Sequence, residues 1–353
     1  MTNNNSYFAC ANTCLGFINY FDNILNSQNL EKIYIIKSYS GSSVLKELAK
    51  ISEEKKYSVE YFLYPLNPER LNGIIIKELK TAIIDENLNM HKPPALIENI
   101  INFNDFYDEP KLIRRKKEIF ELNAKKNEYL ILAYKFLKAA NELCENNIEL
   151  SKKYINYEKL DFSVDRLINK YVNEKHLQEK RKNNCADEYR FINTVSAVKN
   201  IEPDVFESDA KEIFYISNEN FLGWIYTKII SEKFAGLCKV ICPDALNPYR
   251  IRAIFLKEPK VLFVIKNKDL SKNYDEKYHF INMERFTDIN LKKENKQKLR
   301  FIQKCYKSLM DEAIKYFKEA EAINLAIENI YASAFNTNEK NKYTEAIIKK
   351  ILP

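Results

Sequence analysis

Glu31-Lys32-Ile33-Tyr34-Ile35-Ile36 and Lys211-Glu212-Ile213-Phe214-Tyr215-Ile216 read as one short strand written twice, 180 residues apart. Each is an apolar run bounded by polar residues, the pattern of a strand buried on both faces. The same offset recurs without a net gap. Leu66-Asn67-Pro68 with Arg70 returns as Leu246-Asn247-Pro248 with Arg250, and Lys77-Glu78 with Lys80 returns as Lys257-Glu258 with Lys260. Ile101-Asn102 with Phe106 and Asp108 returns as Ile281-Asn282 with Phe286 and Asp288. Ala133, Lys135, Lys138 and Ala140 return as Ala313, Lys315, Lys318 and Ala320. Self-similarity at one fixed period is the mark of a repeat architecture. The expected organisation is therefore a first repeat over 1–180 and a second over 185–353, with the polar run Glu179-Lys180-Arg181-Lys182-Asn183-Asn184 between them.

Within each repeat the first strand is followed by a polar loop and an amphipathic segment. Further strands are expected near 57–63, at 81–85 with its counterpart at 261–265, and near 99–103. Strands alternating with helical stretches predict an α/β fold, a mainly parallel sheet flanked by helices. Each repeat closes on a long helical region. Tyr129, Ala133, Phe136, Leu137, Ala140 and Cys144 follow one another at helical spacing, as do Ile302, Tyr306, Leu309, Ala313, Tyr316, Ala320 and Ile323.

The loop after the first strand is where a nucleotide-binding α/β domain carries G-x-x-x-x-G-K-[ST], whose backbone N–H groups and lysine cradle phosphates. The first repeat reads Lys37-Ser38-Tyr39-Ser40-Gly41-Ser42-Ser43-Val44 there, with one glycine and no lysine after it; Lys37 precedes the loop and Lys46 follows on the helix. The second reads Ser217-Asn218-Glu219-Asn220-Phe221-Leu222-Gly223-Trp224, with Trp224 in the lysine's place and Glu219 adding negative charge. An acid ending a neighbouring strand holds Mg²⁺ in such sites. Asp85, with Glu86 beside it, has that position, whereas its counterpart is Ile265, followed by Lys266. The competing reading of Asp85 is an acid capping a strand end.

The strings Asn12-Thr13-Cys14-Leu15-Gly16-Phe17, the strand and loop at 33–45, Glu78-Leu79-Lys80-Thr81-Ala82-Ile83-Ile84-Asp85 and Ile100-Ile101-Asn102 resemble a family of uncharacterised bacterial proteins made of two tandem P-loop ATPase-like domains. The resemblance covers most of the first half and, more faintly, the second. It implies two tandem P-loop NTPase-like domains descended from a nucleotide binder. It also implies that intact members carry a full glycine-lysine-serine/threonine loop, which neither half has. The resulting expectation is a pseudoenzyme with no catalytic residue, no metal and no cofactor, a scaffold or partner-binding module whose repeats pack as an intramolecular pseudo-dimer. Lys37, Gly41, Ser42, Ser43 and Asp85 are its vestigial nucleotide-binding residues; Glu219, Gly223 and Trp224 mark the degenerate second loop. The enzyme alternative is an ATPase or nucleotide kinase holding Mg-ATP weakly in the first half.

Composition sets wider bounds. The 353 residues are 46% hydrophobic with only 5 Gly and 10 Pro, which excludes disordered and collagenous classes. The net charge of +7 is spread over many Lys, and the densest basic run, Lys111, Arg114, Arg115, Lys116 and Lys117, is the basis of a nucleic-acid-binding alternative, set against a solvated helix face. Cys10-x-x-x-Cys14 and Cys238-x-x-x-Cys242 offer four thiolates to zinc only if the halves face each other; buried thiols are the competing reading. His91, His176 and His279 have no partners in register and no assigned role. No export-like or membrane-spanning run is present and the 7 cysteines have no framework spacing, so a cytoplasmic, reduced protein is expected.

Overall fold

The computed structural model describes residues 6–27, 30–39, 41–85, 98–171, 187–198, 206–266 and 274–352. Ser40, Glu86, His91, His176 and the run 179–184 lie outside these residues. In the first half the elements are β1 (Ser6–Tyr7), β2 (Cys10–Thr13), β3 (Gly16–Asn19), α1 (Phe21–Ser27), β4 (Lys32–Lys37), α2 (Gly41–Glu54), β5 (Val59–Leu63), β6 (Leu71–Ile76), β7 (Thr81–Asp85), β8 (Glu98–Asn102), α3 (Glu109–Arg114), α4 (Lys116–Lys152) and α5 (Tyr157–Tyr171). The second half has β9 (Glu188–Tyr189), β10 (Glu212–Ile216), α6 (Gly223–Lys233), β11 (Lys239–Pro243), β12 (Ile251–Leu256), β13 (Val261–Ile265), β14 (Tyr278–Ile281), α7 (Ile289–Glu294), α8 (Lys296–Ser333) and α9 (Thr337–Ile351).

Two six-stranded sheets result, ordered β1-β5-β6-β7-β4-β8 and β9-β11-β12-β13-β10-β14. Their registers correspond: Ile33 lies opposite Ala82 and Ile213 opposite Leu262. Each sheet is parallel except for its third strand. β6 runs antiparallel to β5 and β7, and β12 antiparallel to β11 and β13. The expectation of strands regularly alternating with helices is corrected here, because β5, β6 and β7 form a meander with no helix between them. Leu71–Ile76 is a fully buried six-residue run, and a Cβ on Gly73 would come within 2.8 Å of Ile84 Cγ2 and 3.0 Å of the Ile83 carbonyl, so β6 approaches β7 closely at this glycine, while Ala253 takes the same place in β12.

The long helices α4 (37 residues) and α8 (38 residues) run antiparallel against each other, each about 55 Å long at ~1.5 Å per residue. Ala133, Leu137, Ala313 and Phe317 meet there and are fully buried. Burying a side chain of the size of Leu137 or Phe317 is worth roughly 1.5–3 kcal/mol, and the two alanines let the helix axes approach.

This bar carries each chain segment away from the sheet it follows. Tyr154, Leu160 and Val164, at the end of α4 and on α5, are buried in one core with Phe214, Ile216, Tyr226 and Phe263 of the second half. Conversely, Ile347, Ile351 and Leu352 are buried with Tyr34, Val44, Leu48 and Ile83 of the first. Polar contacts follow the same exchange. Lys233 bridges Asp161 at 2.7 Å and Asp165 at 2.6 Å, and the Ser163 and Tyr226 hydroxyls lie 3.0 Å apart. The boundary between 180 and 185 thus follows chain order, and packing crosses it.

The segments at the start of each half also cross. The Cys14 N–H donates to the Leu246 carbonyl (2.8 Å), and the Ala197 N–H donates to the Leu66 carbonyl (2.9 Å). Between the two arms the guanidinium of Arg190, 3% exposed, meets Glu60 at 3.0 Å and Glu188 at 3.4 Å, over the face of Tyr7. Among the described residues no helix is long and apolar enough to cross a membrane.

Candidate functional site: two occupied loop cavities

β4 ends at Lys37 and α2 begins at Gly41, which leaves three residues between them, against roughly six in a phosphate-wrapping loop. Asp85 ends β7 opposite Ile36 and is buried. Beside it lies a cavity of about 140 Å³ lined by Tyr39, Tyr64, Arg70, Asn72, Asp85, Lys126, Asn324 and Glu328. Of the expected nucleotide-binding residues, only Asp85 borders it among the described residues. Lys37, Ser43 and Lys46 do not, and Ser43 and Lys46 are exposed on α2. The structure therefore brings Asp85 together with Tyr39, Arg70 and Lys126, not with Lys37 or Ser43.

The cavity is closed from the far side by the other half's long helix. Tyr39 stacks flat on Tyr331, ring centroids 4.1 Å apart and planes within 5°. The Tyr39 backbone N–H donates to the Tyr107 hydroxyl at 3.3 Å. Arg70 reaches Glu328 at 2.5 Å and Glu321 at 3.7 Å, while Asn67 donates to Glu321 at 3.0 Å. Burial works against charge on Arg70, but Glu328 and Glu321 outweigh it and keep the guanidinium protonated. Burial pushes the Glu321 carboxyl up and the Lys126 ammonium down. Two cations, Arg70 and Lys126, thus share the lining with two acids, Asp85 and Glu328, while Glu321 stands beside Arg70. The lining therefore has no excess of positive charge to offer a polyphosphate, where one close charge pair is worth about 4 kcal/mol near a protein surface. A space of about 140 Å³ is also below the ~300–1,000 Å³ usual for small-molecule sites.

The second loop is filled differently. Ser217 Oγ accepts from the Met283 N–H at 2.9 Å and its hydroxyl bonds Glu219. Asn218 Oδ1 accepts from the Gly223 N–H at 3.2 Å. Asn220 and Phe221 both adopt left-handed backbone, φ 50° and 62°. Gly223 is required by proximity, since a Cβ there would sit 2.9 Å from the Ser217 carbonyl. The cavity beside this loop, about 160 Å³, is walled by Phe221, Trp224, Ile251, Ile265, Tyr306 and Met310, with Arg250 and Arg252. Ile265, buried among apolar neighbours, occupies the place that Asp85 has in the first half. Lys266 lies over the Tyr215 ring and 3.3 Å from Glu207.

Arg70 and Arg250 stand in the repeated Leu-Asn-Pro-x-Arg string, whose role the sequence does not reveal. Both arginines clamp the long helix of the opposite half. Arg250 donates to Asn141 at 3.0 Å and to Glu145 at 2.5 Å, and Asn247 reaches the same two residues at 3.2 and 3.1 Å. Lys126, Glu321, Glu328 and Tyr331 gave no sequence signal, because helical spacing places them on a face without saying what that face meets.

The remaining sequence candidates are not drawn into a site. Lys111 pairs with Asp108 at 3.2 Å, Arg115 with Glu118 at 2.6 Å and Lys117 with Glu121 at 3.9 Å, so much of the basic run is neutralised on its own helices. Cys10 and Cys242 lie in one apolar core and Cys14 in another, and no metal-binding group of three or more His, Cys, Asp or Glu exists among the described residues. The four-thiolate arrangement is thus not formed. Burial pushes the Cys242 thiol up to about 12, disfavouring the thiolate that a metal needs. His279 stacks on Phe214 and bonds Glu212. No protein-family model, no curated protein and no solved structure matches the chain.

Proposed function

We propose that the chain is a non-catalytic protein of P-loop type, two degenerate NTPase-like copies packed as an intramolecular pseudo-dimer and serving as a scaffold or partner-binding module. The observation that carries the reading is the filled first loop. Tyr39 is stacked on Tyr331 and Arg70 is engaged by Glu328 and Glu321, so a triphosphate entering beside Asp85 would have to break both contacts. Phosphoryl transfer depends on positioning and charge stabilisation, and among the described residues this loop places no lysine on the cavity beside Asp85. Common ancestry of the halves is supported by their matching strand orders and registers. The partner-binding role is supported by exposed apolar side chains near the start of each long helix, Ile113 and Phe120 in one half and Ile289 and Phe301 in the other, all at least 60% exposed.

Calorimetric titration with Mg-ATP tests the non-catalytic reading. No saturable heat is expected at submillimolar nucleotide. Saturable binding that disappears in Asp85→Ala, or ATP turnover abolished by a change at Gly41, would establish the ATPase alternative in its place.

A further inference from the structure

A pocket of about 340 Å³ opens where α7 meets α8, apart from the two loop cavities. Its apolar walls are Ile289 and Leu299. Leu299 is 4% exposed and joins the second half's core, whereas Ile289 is 61% exposed. Lys296, Leu299, Arg300 and Gln303 follow at helical spacing and line the pocket from one side of α8. Lys292 is bound by Glu284, the one acid in the lining. Lys293, Lys296 and Arg300 have no acidic partner among the described residues. Three unneutralised cations therefore surround an apolar hollow whose volume lies at the lower end of the ~300–1,000 Å³ range of small-molecule sites.

The pocket is completed by Thr287 and by Asn220, which is 9% exposed and has left-handed backbone (φ 50°). Gln303 Nε2 donates to Asn220 Oδ1 at 3.2 Å and fixes this wall to α8. No aromatic ring lines the pocket among the described residues, which leaves no stacking platform for a base. The first half does not repeat the arrangement, because Ile113 and Phe120 stand where Lys293 and Arg300 are.

We propose that this pocket binds an aliphatic organic acid, its tail packed on Ile289 and Leu299 and its carboxylate held by Lys293, Lys296 and Arg300. The site does not depend on whether the two loops bind nucleotide, and it shares Ile289 with the exposed apolar side chains named above.

Isothermal titration of the full chain with octanoate, octanol and acetate tests it. Octanoate should bind saturably, and octanol and acetate at least roughly tenfold more weakly, because one lacks the charge and the other the tail. Octanoate binding should weaken as salt rises, since the cations are exposed. The double variant Lys296→Glu/Arg300→Glu should lose at least roughly tenfold in octanoate affinity, with an unchanged far-UV circular dichroism melt. If that variant fails to fold, Ile289→Asp, which alters an exposed wall residue, should give the same loss. Absence of saturable octanoate heat, octanol binding as tightly as octanoate, or undiminished affinity in a folded variant would overturn the site.

Discussion

Leu160→Ala is the sharpest test of the exchanged helices. Leu160 belongs to the first half in sequence, yet it is fully buried in the core of the second sheet, with Phe214, Ile216, Tyr226 and Phe263. Truncating a fully buried leucine costs about 3–5 kcal/mol when the surroundings cannot collapse. The lower figure applies here because Val164 and Tyr154 of the same helical end remain in place. About 3 kcal/mol corresponds to roughly hundredfold faster exchange of amides that open with the affected core. Hydrogen exchange read by mass spectrometry should therefore show the acceleration in peptides spanning 212–216 and 261–265, with those spanning 32–37 and 81–85 changed less. Ile347→Ala should do the reverse, since Ile347 sits on α9 but is buried against the first sheet. Acceleration confined to 32–85 in Leu160→Ala, with 212–265 untouched, would refute the crossed packing.

Burial raises the Glu60 carboxyl, but Arg190 and Lys77 outweigh that effect and leave it below its ordinary value. A depressed folded value means that the stabilisation is complete above the unfolded value of about 4.3 and is lost as pH falls through the folded one. Glu60→Gln should thus flatten the acid side of a stability–pH curve and cost about 3 kcal/mol near neutrality by leaving Arg190 half-paired; a steep, unaltered acid limb in denaturant titrations would count against it. Among the six described cysteines, Cys238 and Cys305 are part-exposed while Cys10, Cys14, Cys144 and Cys242 are buried. Peptide mapping after brief alkylation at neutral pH should find label on those two before the other four, and early label on Cys144, whose thiol burial pushes up to about 12, would contradict the structure. Gly223→Ala forces a Cβ to within 2.9 Å of the Ser217 carbonyl, so it should destabilise by about 1–3 kcal/mol, seen as a lower midpoint in unfolding followed by Trp224 fluorescence; an unchanged midpoint would show that the loop can yield.

Much of the sheet was legible in the chain. The apolar runs at 33–36 and 213–216, with 81–85 and 261–265, lie in paired strands, because a strand buried on both faces must be continuously apolar. The stripe through Ala133, Leu137, Ala140 and Cys144 is the buried side of α4 for the same kind of reason. Other features were hidden. β6 is not legible in the chain, since a short apolar run with a glycine does not declare its direction or its neighbour. Lys37 and Ser43 looked like phosphate ligands by position, yet side-chain placement leaves them off the cavity, while Arg70, visible as a repeat residue, lines it.

By itself the sequence determined the periodicities: which residues are apolar, at what spacing, and that the pattern recurs after 180 positions. Those periodicities dictate strands, helices and their inward faces, because residues at the strand or helix period share one face and an apolar face is the one removed from water. Only the tertiary structure decided which sheet each closing helix covers. The apolar stripes of α5 and α9 do not name the sheet they cover, and the antiparallel bar of α4 and α8 sets each helix down on the opposite sheet. The same bar brings Tyr331 and Glu328 over the first loop and Asn141 and Glu145 against Arg250. Contacts between residues so far apart in the chain come from the path of the backbone in space, which no local pattern encodes.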